Sequence, residues 1–373
     1  MWDGLVLGWR TAILIPPILA MLVIATALTR ALANHTANRS LAILLVVLVG
    51  TLTPWAIGFA GFYDRWQWLS FAPFSHPLAV APLFYFYLFA LVHGRLPGRL
   101  SLHLAAPIIF GAVMVISFLL PADAKSTWAR ISSGGFDIVV SLGIVVGFAM
   151  YGRLSWLLLR RYRVWLASER SDDDRFAARW LQNILIGGAA LLAVWAVYEV
   201  TNAVIGLSYR GLMGLYIVIA ILGTALAIEG WRHAHLPFPS MPFGLDAGLQ
   251  EDKQAEPRPT LVKDANRWVE QIRQDRLYED PEISLARAAR HLGTNQSYLS
   301  RAVNEQFGMN WSALINGMRS EAVAERLAVD ASADILRTAL ECGFNSKASF
   351  NRSFRAHHGM TPSAFRRETS QNA

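Results

Sequence analysis

Leu41–Tyr63 is a run of twenty-three residues without one charged side chain. A bilayer core about 30 Å thick is crossed by roughly 20 apolar residues of helix, so this run alone makes the chain a candidate for the membrane. Six further apolar runs accompany it, giving seven in all, at 11–29, 41–63, 70–92, 101–120, 138–159, 181–206 and 211–230. Pro16, Pro17, Pro54, Pro82 and Pro107 fall in or near them. Proline is tolerated in membrane helices because neighbours re-satisfy the freed carbonyls. Arg153 lies near the end of the fifth run, where a long side chain can snorkel to the interface.

Composition agrees. The chain is 54% hydrophobic and 16% charged, against about 25% charged in soluble domains. This excludes disorder and a coiled coil. The lone Cys342 excludes an internal disulfide and a CxxC metal cage. The net charge of +7 is unevenly spread. Residues 1–250 carry 17 basic and 11 acidic side chains, residues 251–373 carry 17 and 16. The excess therefore speaks first of topology. With the N-terminus outside, the inner loops hold eleven arginines, six of them between 160 and 179, and the outer segments five basic residues. The positive-inside bias thus places the C-terminus in the cytoplasm. Ala31-Leu32-Ala33 after the first run resembles a signal-peptide cleavage site, which would leave six spans and export the C-terminal region. The length of the run and the adjacent Arg30 oppose that reading.

The organisation reads as a seven-helix transmembrane domain over 1–230, a Pro-rich linker over 231–259 and a helical domain over 260–373. The linker carries Pro237, Pro239, Pro242, Pro257 and Pro259. A flexible coil of that length reaches about 30 Å, so the last domain works close to the membrane. After Thr260 the periodicity becomes that of amphipathic helices. Leu261, Ala265, Trp268, Val269 and Ile272 mark one face. Ser284 caps a short helix that ends at Gly293, and Asn295 caps a second that ends at Gly308. A long helix from about Trp311 to Val329 follows. The pattern then recurs, with a short helix to Cys342 and Gly343, and another from Ser346 to Gly359. Two helix-turn-helix units flank a helix about 28 Å long. Successive major-groove faces of B-DNA lie about 34 Å apart, so one such domain reaches two neighbouring grooves.

Residues 283–367 resemble the DNA-binding domain of AraC/XylS-family transcription regulators. The resemblance rests mainly on Cys342-Gly-Phe-Asn-Ser-Lys-Ala-Ser-Phe-Asn-Arg-Ser-Phe-Arg355 and on Gly359-Met-Thr-Pro-Ser-Ala-Phe-Arg366. Tyr298-Leu299-Ser300-Arg301, Gly308, Arg319 and Ala322 match the first half. Val303 stands where the family often has Phe, and Thr338-Ala339 where Ile-Ala is usual. The resemblance covers about a quarter of the chain. It implies an all-α, double helix-turn-helix domain that binds promoter DNA in a bacterium, often with RNA polymerase as a partner. The helices from Gln296 and Lys347 become the recognition helices. Ser297, Ser300, Arg301, Lys347, Ala348, Asn351 and Arg352 fall at base-facing positions. Arg or Lys suits guanine, Asn suits adenine, and Ala suits a thymine methyl. Gln296, Asn304 and Arg355 are placed for phosphates, which position the protein without reading sequence. Without the resemblance these would read as solvated helix faces.

Inside the apolar runs Glu199 stands out, with Trp195 and Asn202 at i−4 and i+3. An intramembrane acid is a candidate functional group; here the three form a candidate signal-ligand site, or Glu199 pairs with Arg210. His76, His93 and His103 lack metal-ligand spacing. No HExxH, GxSxG or Gly-rich phosphate loop occurs, so neither catalysis nor a cofactor or metal is expected. The expectation is a one-component regulator of the bacterial inner membrane, N-terminus outside. Its partners are double-stranded DNA, the lipid bilayer, an unidentified signal ligand and a second copy of itself. The alternative is a membrane transporter or enzyme with a helical protein-interaction tail.

Overall fold

The computed structural model describes residues 7–132, 135–170, 178–205, 209–241, 259–330 and 332–372, with Leu5 and Phe176 besides. These are helical throughout, with no strand among the described residues. The chain divides into two compact units. One comprises Met1–Leu159 and Arg179–Met241, the other Arg160–Ala178 and Pro242–Ala373.

The long apolar helices are α1 (Trp9–Leu28), α2 (His35–Phe59), α3 (Pro77–His93), α4 (Leu100–Leu119), α5 (Gly135–Glu169), α6 (Arg179–Ile205) and α7 (Met213–His233). Six of them are apolar over at least 18 residues, whereas seven such spans were expected. The shortfall is α3, with 17 residues. The third apolar run starts at 70, but its first residues are irregular: Phe71 has φ 64° and His76 is extended beyond the helical range. Pro77 accounts for His76, because the residue before a proline is pushed out of the α region, and Pro73 restricts Ala72, next to Phe71, in the same way. Pro77 then starts α3, where its missing N–H is no loss. The five prolines named above all lie inside helices.

In the first unit α1 packs on α2 and α7, and α2 on α3 and α7. Leu14, Met21, Leu41, Leu45 and Leu88 are fully buried there. Gly223 of α7 admits Met21 so closely that a Cβ would stand 2.9 Å from its sulfur, the small-residue packing of membrane helices. The outer faces are as apolar as the interior: Leu102, Ile108, Ile109, Val139 and Val197 are all more than 60% exposed. A surface this apolar is stable against lipid and not against water. The stretch expected to begin the linker stays on this unit. Asn34 donates to the Leu236 carbonyl at 2.7 Å, Asn38 to that of Ala234 at 3.0 Å, and the Met241 N–H to Val92 at 2.8 Å. The rest of the expected linker, 242–258, lies outside the described residues.

The second unit holds α8 (Pro259–Gln274), α9 (Leu285–His291), α10 (Gln296–Phe307), α11 (Trp311–Val329), α12 (Ile335–Glu341), α13 (Lys347–His358) and α14 (Pro362–Asn372). Helix α11 contributes to two cores. Its first half joins Ala265, Trp268, Ile272, Leu299 and Val303 around Trp311 and Ile315. Its second half, with Val323 and Leu327, meets Ala339, Cys342, Phe344, Phe350 and Phe354.

Candidate nucleic-acid interface

Each core carries one helix pair, and the two pairs repeat bond for bond. Asp280 and Asp330 open them. The Asp280 carboxylate accepts from the Glu282 N–H at 2.9 Å, and that of Asp330 from Ser332 at 2.9 Å. Ser284 and Asp334 then cap α9 and α12, accepting from the N–H of Arg287 and Arg337. Both short helices are seven residues long. Gly293 (φ 68°) and Gly343 (φ 95°) end them in the left-handed region. The next N–H, of Thr294 or Phe344, returns to Ala289 at 2.9 Å or Ala339 at 3.1 Å, the wide bond of a Schellman turn. Asn295 and Ser346 cap the following helices, α10 and α13, through Tyr298 N–H at 2.8 Å and Ser349 N–H at 3.1 Å. Both are twelve residues long and end at a left-handed Gly, Gly308 or Gly359.

The caps fix which face of each helix is outward. On α10, Leu299, Ala302 and Val303 are fully buried, while Gln296, Ser297 and Asn304 are exposed and Ser300 and Arg301 half-buried. On α13, Phe350 and Phe354 are buried, and Lys347, Ala348, Asn351, Arg352 and Arg355 are exposed. All ten expected DNA contacts therefore sit on the two recognition helices, none of them in a core. The two departures from the family pattern are accommodated. Val303 is fully buried, and Thr338 turns its hydroxyl to the Asp334 carbonyl at 2.9 Å.

The helices differ in how their cations are held. The Arg301 guanidinium lies 5.7 Å from the Tyr298 ring centre and 3.9 Å from the Glu305 carboxylate. The exposed Lys347, at the first turn of α13, has no such neighbour among the described residues. Gln296 donates its Nε2 to the Glu169 carboxylate at 2.9 Å, and the Ala286 N–H points to the same oxygen at 3.3 Å. This corner of the second unit thus already holds one anionic group.

Sequence patterning did not disclose the role of Arg319. It is 1% exposed and spans the two halves. It donates to the carbonyls of Tyr278 at 2.6 Å and Asp280 at 2.8 Å and to the Asn316 side chain at 3.1 Å. Its guanidinium also lies 5.8 Å from the Phe344 ring. Gly343 packs on the same loop, with a Cβ there 2.6 Å from the Tyr278 oxygen and 2.7 Å from that of Glu279. Asn345 adds a bond to the Pro281 carbonyl at 2.7 Å. The sequence signal was the near-identical spacing, 50 residues from Asp280 to Asp330 and from Gly293 to Gly343.

In the first unit, Trp195 is half-buried and Glu199 and Asn202 are exposed on α6. No ion pair joins Glu199 to another described side chain, and the Arg210 side chain lies outside the described residues. No cluster of metal-ligating side chains occurs among the described residues.

Residues 288–368 match a family model described as a helix-turn-helix domain. They form a DNA-binding domain of the AraC type. No curated protein and no solved structure gives a match. The chain therefore joins an AraC-type helix-turn-helix domain to a unit of helices apolar and long enough to cross a membrane.

Proposed function

We propose that the protein is a one-component transcription regulator fixed in the bacterial cytoplasmic membrane. Helices α1–α7 hold the chain there with the N-terminus outside, α3 being a short seventh span within the 17–25 residues that cross a bilayer. The C-terminal domain binds promoter DNA in a sequence-dependent way. One observation carries this: two capped helix pairs, alike turn for turn, lie on one chain behind a unit whose outer surface suits lipid. α11 has 19 residues, or about 28 Å of rise, so α10 and α13 enter adjacent major grooves on one side of the duplex. Lys347, Asn351 and Arg352 read bases from α13; Ser297, Ser300 and Arg301 read them from α10. Gln296, Asn304 and Arg355 bind phosphates. A signal acts by changing association of two copies in the membrane, which raises the effective concentration of paired DNA-binding domains. RNA polymerase is the downstream partner.

The test is chromosome-wide crosslinking of the full-length protein beside a variant with Arg301→Ala and Arg352→Ala. Discrete peaks that vanish in the variant are expected. Identical peaks in both would refute the assignment of these helices. Binding of a 255–373 fragment to DNA should weaken steeply with salt, with a log–log slope of about −0.9 per neutralised phosphate. A salt-independent association with protein alone would support the interaction-tail alternative.

A further inference from the structure

A cavity of about 450 Å³ lies among α2, α3, α5, α6 and α7 of the first unit. Its wall is almost wholly apolar; Leu48, Phe84, Phe148, Trp156, Leu192 and Leu226 contribute to it. The volume is within the roughly 300–1,000 Å³ of small-molecule sites. Two glycines keep it open: a Cβ on Gly152 or Gly188 would meet nothing within 4 Å. One charged residue, Arg153, stands on the wall. Its guanidinium makes no ion pair or hydrogen bond with a described residue, and no carboxylate lines the cavity. Arg153 is seven residues from Arg160, about 10 Å of helix, at the Arg-rich end of the bundle. Trp156 follows one turn on, and tryptophan favours the headgroup level.

A cation on the wall of an apolar cleft, with no partner among the described residues, is costly at membrane depth unless an anion meets it. The geometry points to a binding site for a single-chain anionic amphiphile dissolved in the membrane, its chain in the cavity and its acidic head on Arg153. Size favours one chain: about 450 Å³ lies within the range of small-molecule sites. Charge selects the head, because a carboxylate accepts the fork of the guanidinium and a neutral alcohol does not. The site would be where the membrane part meets its signal. The inference rests on the membrane-embedded reading of the first unit and not on DNA binding.

The test uses full-length protein recovered from membranes, in nanodiscs of zwitterionic phosphatidylcholine, so failure of the ligand leaves the membrane reading standing. The probe is hexadecanoic acid with a diazirine on its chain, photolysed and mapped by peptide mass spectrometry. Saturable labelling of the α5 and α6 segments beside Gly152 and Gly188 is expected, displaced by plain hexadecanoate. The matching diazirine alcohol should label about tenfold less, the size of one charge-assisted hydrogen bond. Arg153→Gln should erase the difference between acid and alcohol. Gly188→Leu should cut labelling by the acid about tenfold. Gly147→Leu, also unobstructed but outside the cavity wall, should not. Unsaturable labelling spread over the outer faces of all helices overturns the proposal. So does equal labelling by acid and alcohol in the native protein, or preferential labelling of the cavity by a diazirine phospholipid.

Discussion

The two helix-turn-helix pairs share caps, lengths and turns, yet their surroundings are not equivalent. Gly293 and Gly343 occupy corresponding turns, both with positive φ. A Cβ on Gly293 would meet nothing within 4 Å, whereas one on Gly343 would drive into the Tyr278 and Glu279 carbonyls. The first turn faces solvent; the second is pressed against the loop that opens the first pair. The recognition helices differ likewise. Arg301 is drawn onto Tyr298 and Glu305, while Lys347 stands exposed. A repeated local sequence thus fixes the same local shape twice. Tertiary neighbours decide what each copy costs to alter and which copy offers its charge outward.

The contact between the halves should break first. Arg319→Met keeps length and volume but takes the guanidinium from the Tyr278 carbonyl and the Asn316 side-chain oxygen and leaves the Asp280 carbonyl with the Ile283 N–H. Each such buried group costs about 1–3 kcal/mol. Urea unfolding of the 255–373 fragment should show a loss of about 3–5 kcal/mol, with the two halves unfolding in separate steps. A single unchanged transition would mean that Arg319 does not join them.

The glycines sharpen the comparison further. Gly293→Ala should cost about 1 kcal/mol, the left-handed penalty alone. Gly343→Ala adds a backbone clash and should cost about 3 kcal/mol. Equal losses at the two positions would show that the loop at Tyr278 yields freely. For DNA, Arg352→Ala should weaken specific binding by about 1–3 kcal/mol. Arg301→Ala should cost less than Lys347→Ala, because the Arg301 charge already lies 3.9 Å from Glu305 while Lys347 is exposed. The reverse order in a gel-shift titration would mean that Arg301 leaves its cradle on the duplex.

Much of the second unit was legible because capping is local. Ser284, Asn295 and Ser346, with the glycines after each helix, fixed helix ends that the structure reproduces to the residue. The short helix before Gly343 was less well bounded: only the structure fixes its start, at Ile335 after the Asp334 cap. In the first unit, hydropathy located every long helix but over-extended the third. Phe71 and Phe74 are apolar, and hydropathy does not register that Pro73 and Pro77 deny their neighbours helical geometry. What stayed hidden was long-range. The bonds of Arg319 to carbonyls 39 and 41 residues away leave no periodic trace. Nor does an apolar cavity, since its glycines read as ordinary small residues in a hydrophobic run.

The smallest expected effect concerns the aspartates that open each pair. Asp330 accepts from both the hydroxyl and the N–H of Ser332, at 2.6 Å and 2.9 Å, and these bonds hold its carboxyl below the usual value. Asp280 makes the same backbone bond to Glu282 but spends its other oxygen on Arg287 at 2.9 Å. A carboxyl with a lowered folded pKa stabilises the fold above its unfolded pKa, about 3.9, and loses that contribution as pH falls through the folded value. Asp330→Asn should therefore lower the unfolding midpoint of the fragment slightly at pH 6, and the gap should close as pH falls through the lowered folded pKa. Asp330 is fully solvated, so the gap is small, and salt should barely change it because hydrogen bonds to Ser332 outweigh the charge of Arg337. A gap that survives at pH 2, or one that salt abolishes, would show that charge and not the turn holds the second pair in place.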